Sequence, residues 1–369
     1  MSLGGPFRMR RGGRLDQVEM AYETWGELDA QRSNAVLVMT GLSPSSHAAS
    51  SLQDPTPGWW EDVIGPGKPI DTDRCFVICV NSLGSCFGST GPASTDPATG
   101  NAYRLNFPVL SLEDVATAAH EVVLGLGIKR LLAVVGPSMG GMSALAYCLQ
   151  YPSQVRALVN ISSAARSLPF SIALRSLQRE MIRSDRDWCE GQYAFGTGPI
   201  RGMRLARKLG MITYRSAEEW KHRFGRERVP DARGEPGESF RVGPFGIEFE
   251  VESYLEAHAM KFTGAFDPNC YLYLSHAMDL FDATDHGPTL ECGKASEGCL
   301  EYALVMGAVT DFLFPIEQQR ELAQLLATPE REVRLVELPS IQGHDSFLVD
   351  MDRFRPPIAE AFEHLLNTT

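Results

Sequence analysis

No apolar run in this 369-residue chain approaches the roughly 18 residues needed to cross a bilayer, so no membrane span is expected. The opening Met1-Ser2-Leu3-Gly4-Gly5-Pro6, with Arg8, Arg10, Arg11 and Arg14 following, lacks the apolar stretch of an export signal, and a cytoplasmic protein is expected. No C-x-x-C pair occurs among the eight cysteines (75, 79, 86, 148, 189, 270, 292 and 299). Cys75, Cys79 and Cys148 fall inside apolar patterns, which points to buried reduced thiols rather than disulfides or zinc ligands. Positive charge is in deficit: the formal net charge is −12, and no basic stripe interleaved with aromatics offsets it, which disfavours nucleic acid and anionic membranes as partners. There is no H-E-x-x-H, Gly65-Pro66-Gly67-Lys68-Pro69 lacks the spacing and Ser/Thr of a phosphate loop, and no G-x-G-x-x-G opens a helix after the first strand. Metalloprotease, P-loop and dinucleotide chemistry are set aside, and no internal repeat is evident.

What is present is an ordinary globular composition, 44% hydrophobic and 22% charged, long enough for one α/β core carrying an insertion. Apolar, β-branched runs at 34–39, 75–80, 131–135, 157–162, 303–308 and 333–338 alternate with helical patterns, as in a parallel sheet covered on both faces. Val18, Met20 and Tyr22 alternate with polar neighbours and suggest a leading antiparallel strand. Ser111 and Asp114 stand at capping-box spacing before a helix whose Val115, Ala118, Ala119, Val122 and Val123 keep one face until Gly125 and Gly127. Between 164 and 298 helical patterns take over (171–183, 202–212, 217–224 and 251–262). The expected organisation is a core of residues 1–163 and 299–369 with a helical lid inserted at 164–298. Within the lid the Gly-, Pro- and charge-rich 225–246 reads as a mobile loop, and the breaker-rich 285–298 returns the chain to the core.

The most specific local pattern is Gly136-Pro137-Ser138-Met139-Gly140-Gly141, which follows the 131–135 run and opens a helix continuing over 143–150. Strand, sharp turn and helix in that order form a nucleophile elbow, which demands small residues two before and two after the serine. Such a turn presents the Ser138 hydroxyl at the carboxyl end of the sheet and aims the Met139 N–H at the same point, supplying a nucleophile and half an oxyanion hole. Serine also needs a base oriented by a third group, in the chain order Ser, Asp or Glu, His. Asp311 after the 303–308 run and His344 after the 333–338 run fit that order, at strand ends where open α/β sheets bind ligands. Each alone has a plainer reading, Asp311 as a cap of the helix near Pro315 and His344 as a loop histidine; their joint order selects them. His120, His258 and His364 lie in helical patterns as surface or packing residues, His222, His276 and His286 have no strand end before them, and His47 precedes the serine while following the first core strand. The second oxyanion donor is expected from Thr40-Gly41-Leu42-Ser43-Pro44-Ser45-Ser46-His47, with the Leu42 N–H the candidate and a plain Pro-Ser turn the alternative.

A wider set of motifs accompanies the elbow: Tyr22-Glu23-Thr24-Trp25-Gly26, Gly65-Pro66-Gly67-Lys68, Asn81-Ser82-Leu83-Gly84-Ser85-Cys86-Phe87-Gly88-Ser89-Thr90-Gly91-Pro92 and Ala206-Arg207-Lys208-Leu209-Gly210 with Thr213-Tyr214. Glu252-Ser253-Tyr254-Leu255, Phe266-Asp267-Pro268-Asn269-Cys270-Tyr271, the residues 311–315 and Gly343-His344-Asp345 complete it. Together they resemble the homoserine O-acyltransferase family of α/β-hydrolase-fold enzymes over nearly the whole chain. The resemblance implies an α/β-hydrolase fold, a mostly parallel sheet with an inserted helical lid, and ping-pong transfer of an acyl group from acyl-CoA to the side-chain hydroxyl of a small amino acid. It implies Ser138 as nucleophile with Asp311 and His344, Arg207 and Asp345 as ligands of the amino acid, no metal or permanently bound cofactor, and a homodimer. An arginine fork suits an α-carboxylate, and an aspartate suits an α-ammonium.

Within the family, Thr40-Gly41-Leu42-Ser43-Pro44 replaces the His-Ala-Leu-Thr stretch of the acetyltransferases. With Asn160-Ile161-Ser162, Leu168-Pro169-Phe170-Ser171-Ile172-Ala173 and Arg175-Ser176-Leu177-Gln178-Arg179-Glu180, it is similar to the serine O-succinyltransferase branch, from which Pro137 departs. Leu313 stands where some homoserine succinyltransferases of the family have an arginine, so a succinyl carboxylate would need another cation. Gly41, Leu42, Ser43 and Pro44 are candidates for acyl specificity, as are Arg175 and Arg179, for which a solvated helix face is the plainer reading. The expected substrates are succinyl-CoA and L-serine, ahead of sulfur incorporation in cysteine biosynthesis. Acetyl or succinyl transfer to L-homoserine, in methionine biosynthesis, is the nearest alternative, and an esterase or thioesterase shares the triad.

Overall fold

The computed structural model describes residues 1–194, 196–229, 246–287 and 300–368. Residues 230–245 of the expected mobile loop and 288–298 of the expected return stretch lie outside the described residues, as do Cys292 and Cys299. Seven strands form one sheet: β1 (Tyr22–Trp25), β2 (Ala35–Met39), β3 (Phe76–Val80), β4 (Leu131–Pro137), β5 (Val155–Ile161), β6 (Tyr302–Ala308) and β7 (Glu332–Leu338). Their spatial order is β7-β6-β5-β4-β2-β3-β1. All pairings are parallel, with Leu37 opposite both Val134 and Ile78 at the centre, save that β1 runs antiparallel to β3. The helices are α1 (Leu112–Gly125), α2 (Met139–Gln150), α3 (Pro169–Arg183), α4 (Ile200–Tyr214), α5 (Ala217–Phe224), α6 (Glu250–Phe262), α7 (Pro268–Leu280), α8 (Ile316–Leu326), α9 (Ser346–Val349) and α10 (Met351–Asn367).

Strands β2, β4 and β6 are buried along their whole length, so both sheet faces need a cover. Ala35, Leu37 and Met39 pack in one core with Val115, Ala119 and Val122 of α1 and Met142 and Leu145 of α2. The alternate residues Val36 and Val38 face a second core containing Trp60 and Phe354, Ile358 and Phe362 of α10. The α1 start is a reciprocal cap: Asp114 accepts from the Ser111 N–H at 2.9 Å while Ser111 Oγ accepts from the Asp114 N–H at 3.3 Å. Helices α3 to α7 all fall between β5 and β6. Among the described residues no helix is long and apolar enough to cross a membrane.

Two local expectations shift. The leading strand starts at Tyr22 rather than Val18, because Glu19 and Ala21 meet a loop: their N–H groups donate to the hydroxyls of Thr90 at 2.8 Å and Ser89 at 3.0 Å. The sequence pattern also passed over α7, which Asp267 caps by accepting from the Cys270 N–H at 2.9 Å, with Pro268 in its first turn.

Candidate active site

Ser138 sits between β4 and α2 at φ 55° and ψ −125°, a conformation costing on the order of 1–3 kcal/mol that the surroundings must hold. The turn closes tightly enough that a Cβ on Gly136 would overlap the Gly140 carbonyl and one on Gly140 the Met39 carbonyl. Four hydrogen bonds fix it: Ser138 N–H to Ile161 O at 2.9 Å, Gly141 N–H to Ser138 O at 3.0 Å, Ser163 Oγ to Ser138 O at 2.7 Å and Asn160 Nδ2 to Gly141 O at 2.9 Å.

The ends of β6 and β7 bring the other two residues to the serine. His344 Nε2 lies 2.8 Å from Ser138 Oγ, and His344 Nδ1 lies 2.7 Å from Asp311 Oδ2. The other Asp311 oxygen accepts from the Leu313 and Phe314 N–H groups, both at 2.9 Å, so the carboxylate is aimed by its own loop. With Asp311 accepting from Nδ1–H, the Nε2 lone pair faces the serine hydroxyl. Phe314 stacks on the imidazole at 5.2 Å and Phe347 meets it edge-on at 5.6 Å. Burial pulls the His344 pKa down, but the charge and hydrogen bond of Asp311, with Asp345 beside it, outweigh this and hold it above the ordinary 6.5.

Ser138 opens into a cavity of about 380 Å³ whose walls come from the loop after β2 (Gly41, Leu42, Ser43 and Pro44), from Arg207, Met211 and Tyr214 of α4, and from His344 and Asp345. The Leu42 and Met139 N–H groups have no protein acceptor among the described residues, and Met139 is the first residue of α2. Arg207 has no carboxylate partner among the described residues: its guanidinium lies 4.3 Å over the Phe262 ring and its Nε is buried without an acceptor. Asp345 is raised above the usual carboxylate range by burial, against which His344, Arg215 and Arg207 pull.

Other expectations fare differently. Arg175 and Arg179 do not line this cavity; both turn to Asp279 of α7, at 2.6 and 2.7 Å, and Arg175 is buried rather than on a solvated face. His47 is held away from the cavity by Glu23 Oε2 and Thr56 O, each at 2.9 Å. His258, expected as a surface or packing residue, lines the cavity beside Tyr254, and burial together with Lys261, Arg223, Arg207 and Arg215 holds its pKa below the ordinary value. Arg215, which no sequence pattern singled out, also lines it. Its only sequence signal is its place directly after Tyr214.

A family profile for the α/β-hydrolase fold matches residues 34–350. The chain is 56% identical to a serine O-succinyltransferase of Litchfieldella anticariensis, over 99% of this chain and 98% of that protein. It is 58% identical to an L-serine/homoserine O-acetyltransferase of Streptomyces lavendulae, over 96% and 94% of the two chains. Among solved structures, a homoserine O-acetyltransferase from Bacillus anthracis superposes with a TM-score of 0.86 at 28% identity, covering 100% of this chain and 97% of that one. On the profile match and on these identities over nearly the full length of both chains, the chain belongs to the α/β-hydrolase-fold family and, within it, to the serine and homoserine O-acyltransferases.

Proposed function

We propose that this acyltransferase moves the succinyl group of succinyl-CoA to the hydroxyl of L-serine, giving O-succinyl-L-serine and CoA. The observation that carries the acceptor half is the Arg207 guanidinium, which has no carboxylate partner among the described residues and shares one cavity with Asp345 beside the Ser138–His344–Asp311 chain. That pair matches the carboxylate and ammonium of an amino acid. The choice of succinyl and serine is supported by the 56% identical relative of that name and by the Thr40-Gly41-Leu42-Ser43-Pro44 loop.

His344 takes the Ser138 proton as Oγ attacks the thioester carbonyl, and the Leu42 and Met139 N–H groups receive the oxyanion. Collapse expels CoA as the thiol, the proton coming from His344, and leaves succinyl-Ser138. The serine hydroxyl then gives its proton to His344, attacks the ester, and the second collapse returns the proton to Ser138. Arg207 holds the acceptor carboxylate and Asp345 its ammonium, so an amino-acid alcohol outcompetes water. The division into core and lid and a cytoplasmic setting, both read from the sequence, and a homodimer, implied by the family resemblance, belong to this proposal.

A second reading, acetyl transfer to serine or homoserine, is favoured by the 58% identical relative named for it. One methylene is worth about 1–3 kcal/mol in a pocket, so some leakage between the two alcohols is expected. A competition assay with acetyl- and succinyl-CoA against serine and homoserine tests the choice. Succinyl-CoA with serine should give the highest kcat/KM; a tenfold preference for acetyl-CoA or for homoserine would move the assignment to the second reading.

A further inference from the structure

We propose that Arg215 is a positioning residue: it holds Asp345 as the charged, aligned receptor of the acceptor's ammonium group, and thereby biases the acyl-enzyme towards an amino acid over water. The inference rests on the acceptor reading above.

Arg215 occupies the corner between α4 and α5, and that corner is seated on the loop that carries His344. Ser216 Oγ donates to the Ile341 carbonyl. Gly343, at φ 70°, lets the two backbones approach: a Cβ there would stand 2.7 Å from the Ser216 nitrogen. From this corner the Arg215 side chain reaches three groups. Nη1 lies 2.7 Å from Glu219 Oε1 and 3.4 Å from Gln342 Oε1, while Nε lies 3.7 Å from Asp345 Oδ2. Glu219 and Gln342 thus fix the guanidinium, and its Nε edge faces Asp345. At 3.7 Å this is charge contact without a hydrogen bond, so Asp345 keeps its lone pairs for a ligand while gaining a counter-charge.

Asp345 needs that counter-charge. Burial favours its neutral form, and a neutral carboxyl cannot make the charge-assisted bond an ammonium requires. The groups facing it are His344 and Asp311 from the core, Arg207, Tyr214 and Arg215 from the α4 end, with Glu219 beside Arg215 and Tyr254 and His258 of α6 across the cavity. Of the cations, Arg207 is assigned to the acceptor carboxylate. Arg215 is the one already committed to Asp345 by geometry.

The test separates the two half-reactions, CoA release from succinyl-CoA and transfer from preformed acyl-enzyme to L-serine, in Arg215→Gln and Arg215→Lys. Arg215→Gln should lose at least tenfold more in transfer than in CoA release, with a raised KM for serine. The acid limb of transfer should move to higher pH by more than the limb of CoA release, which reads His344. Arg215→Lys should recover much of the transfer. Equal losses in both half-reactions, or an unmoved acid limb for transfer, would overturn the role. Asp345→Asn is the control on the underlying reading: if it leaves serine KM and transfer intact, the acceptor assignment fails and this inference with it. If Asp345→Asn loses transfer and Arg215→Gln does not, Arg215 alone is refuted.

Discussion

Asn160 on β5 donates to the Gly141 carbonyl at 2.9 Å, so the strand beside β4, which leads into Ser138, fastens the first turn of α2. The bond is fully buried. Asn160→Ala deletes the donor and leaves a void, and we expect a loss of about 1–2 kcal/mol with reduced turnover. Urea denaturation with a parallel rate measurement checks it. An unchanged midpoint would mean the elbow is held without Asn160.

Gly140 has no room for a methyl group. Its added Cβ would fall on the Met39 carbonyl at the end of β2, so Gly140→Ala must move either the strand end or the serine. We expect folded protein with more than a hundredfold lower acyl transfer, or no soluble protein at all. A variant with wild-type rate and stability would show that the β2 end yields easily.

Activity should fall on the acid side through the His344 pKa, which lies above the ordinary 6.5. The base form is the neutral imidazole, so a raised pKa means loss of kcat/KM for CoA release begins at a higher pH than for a free histidine. Asp311→Asn removes the charge that raises it and leaves burial in control. The limb should move to lower pH while the rate drops about 10⁴-fold. A pH–rate profile from pH 5 to 9 decides; a limb that stays in place on Asp311→Asn would contradict the assigned coupling.

Arg175→Ala should cost stability rather than change the donor. The Arg175 and Asp279 side chains are 6% and 7% exposed and lie 2.6 Å apart. Breaking such a pair costs about 3 kcal/mol, toward the low end of its range because Arg179 still reaches Asp279. The midpoint of unfolding should fall while the ratio of succinyl- to acetyl-CoA turnover stays within about threefold. A large swing in that ratio would return Arg175 to the acyl site.

The parts of this protein that were legible in the sequence are those written in local periodicity. The buried strands announce themselves as β-branched runs, the α1 start as Ser111 and Asp114, and the elbow as small residues around Ser138. Asp311 and His344 were legible only as an ordered pair after two late strands. The pairing of Arg175 and Arg179 with Asp279 was not legible, because that partner lies about a hundred residues further on and periodicity carries no partner. His258 was missed for a related reason: a helical pattern names a face without saying that a cavity lies against it. Arg215 falls at the junction of two helices, where no pattern runs.

The most direct measurement is intact-mass spectrometry of the wild-type protein and Ser138→Ala mixed with succinyl-CoA, before and after L-serine is added. The wild type should gain one succinyl group with release of one CoA, and serine should clear the adduct as O-succinyl-L-serine. Ser138→Ala should gain nothing. A succinyl adduct on Ser138→Ala, or wild-type adduct that decays to free succinate at the same rate with and without serine, would contradict transfer through Ser138 to an amino acid.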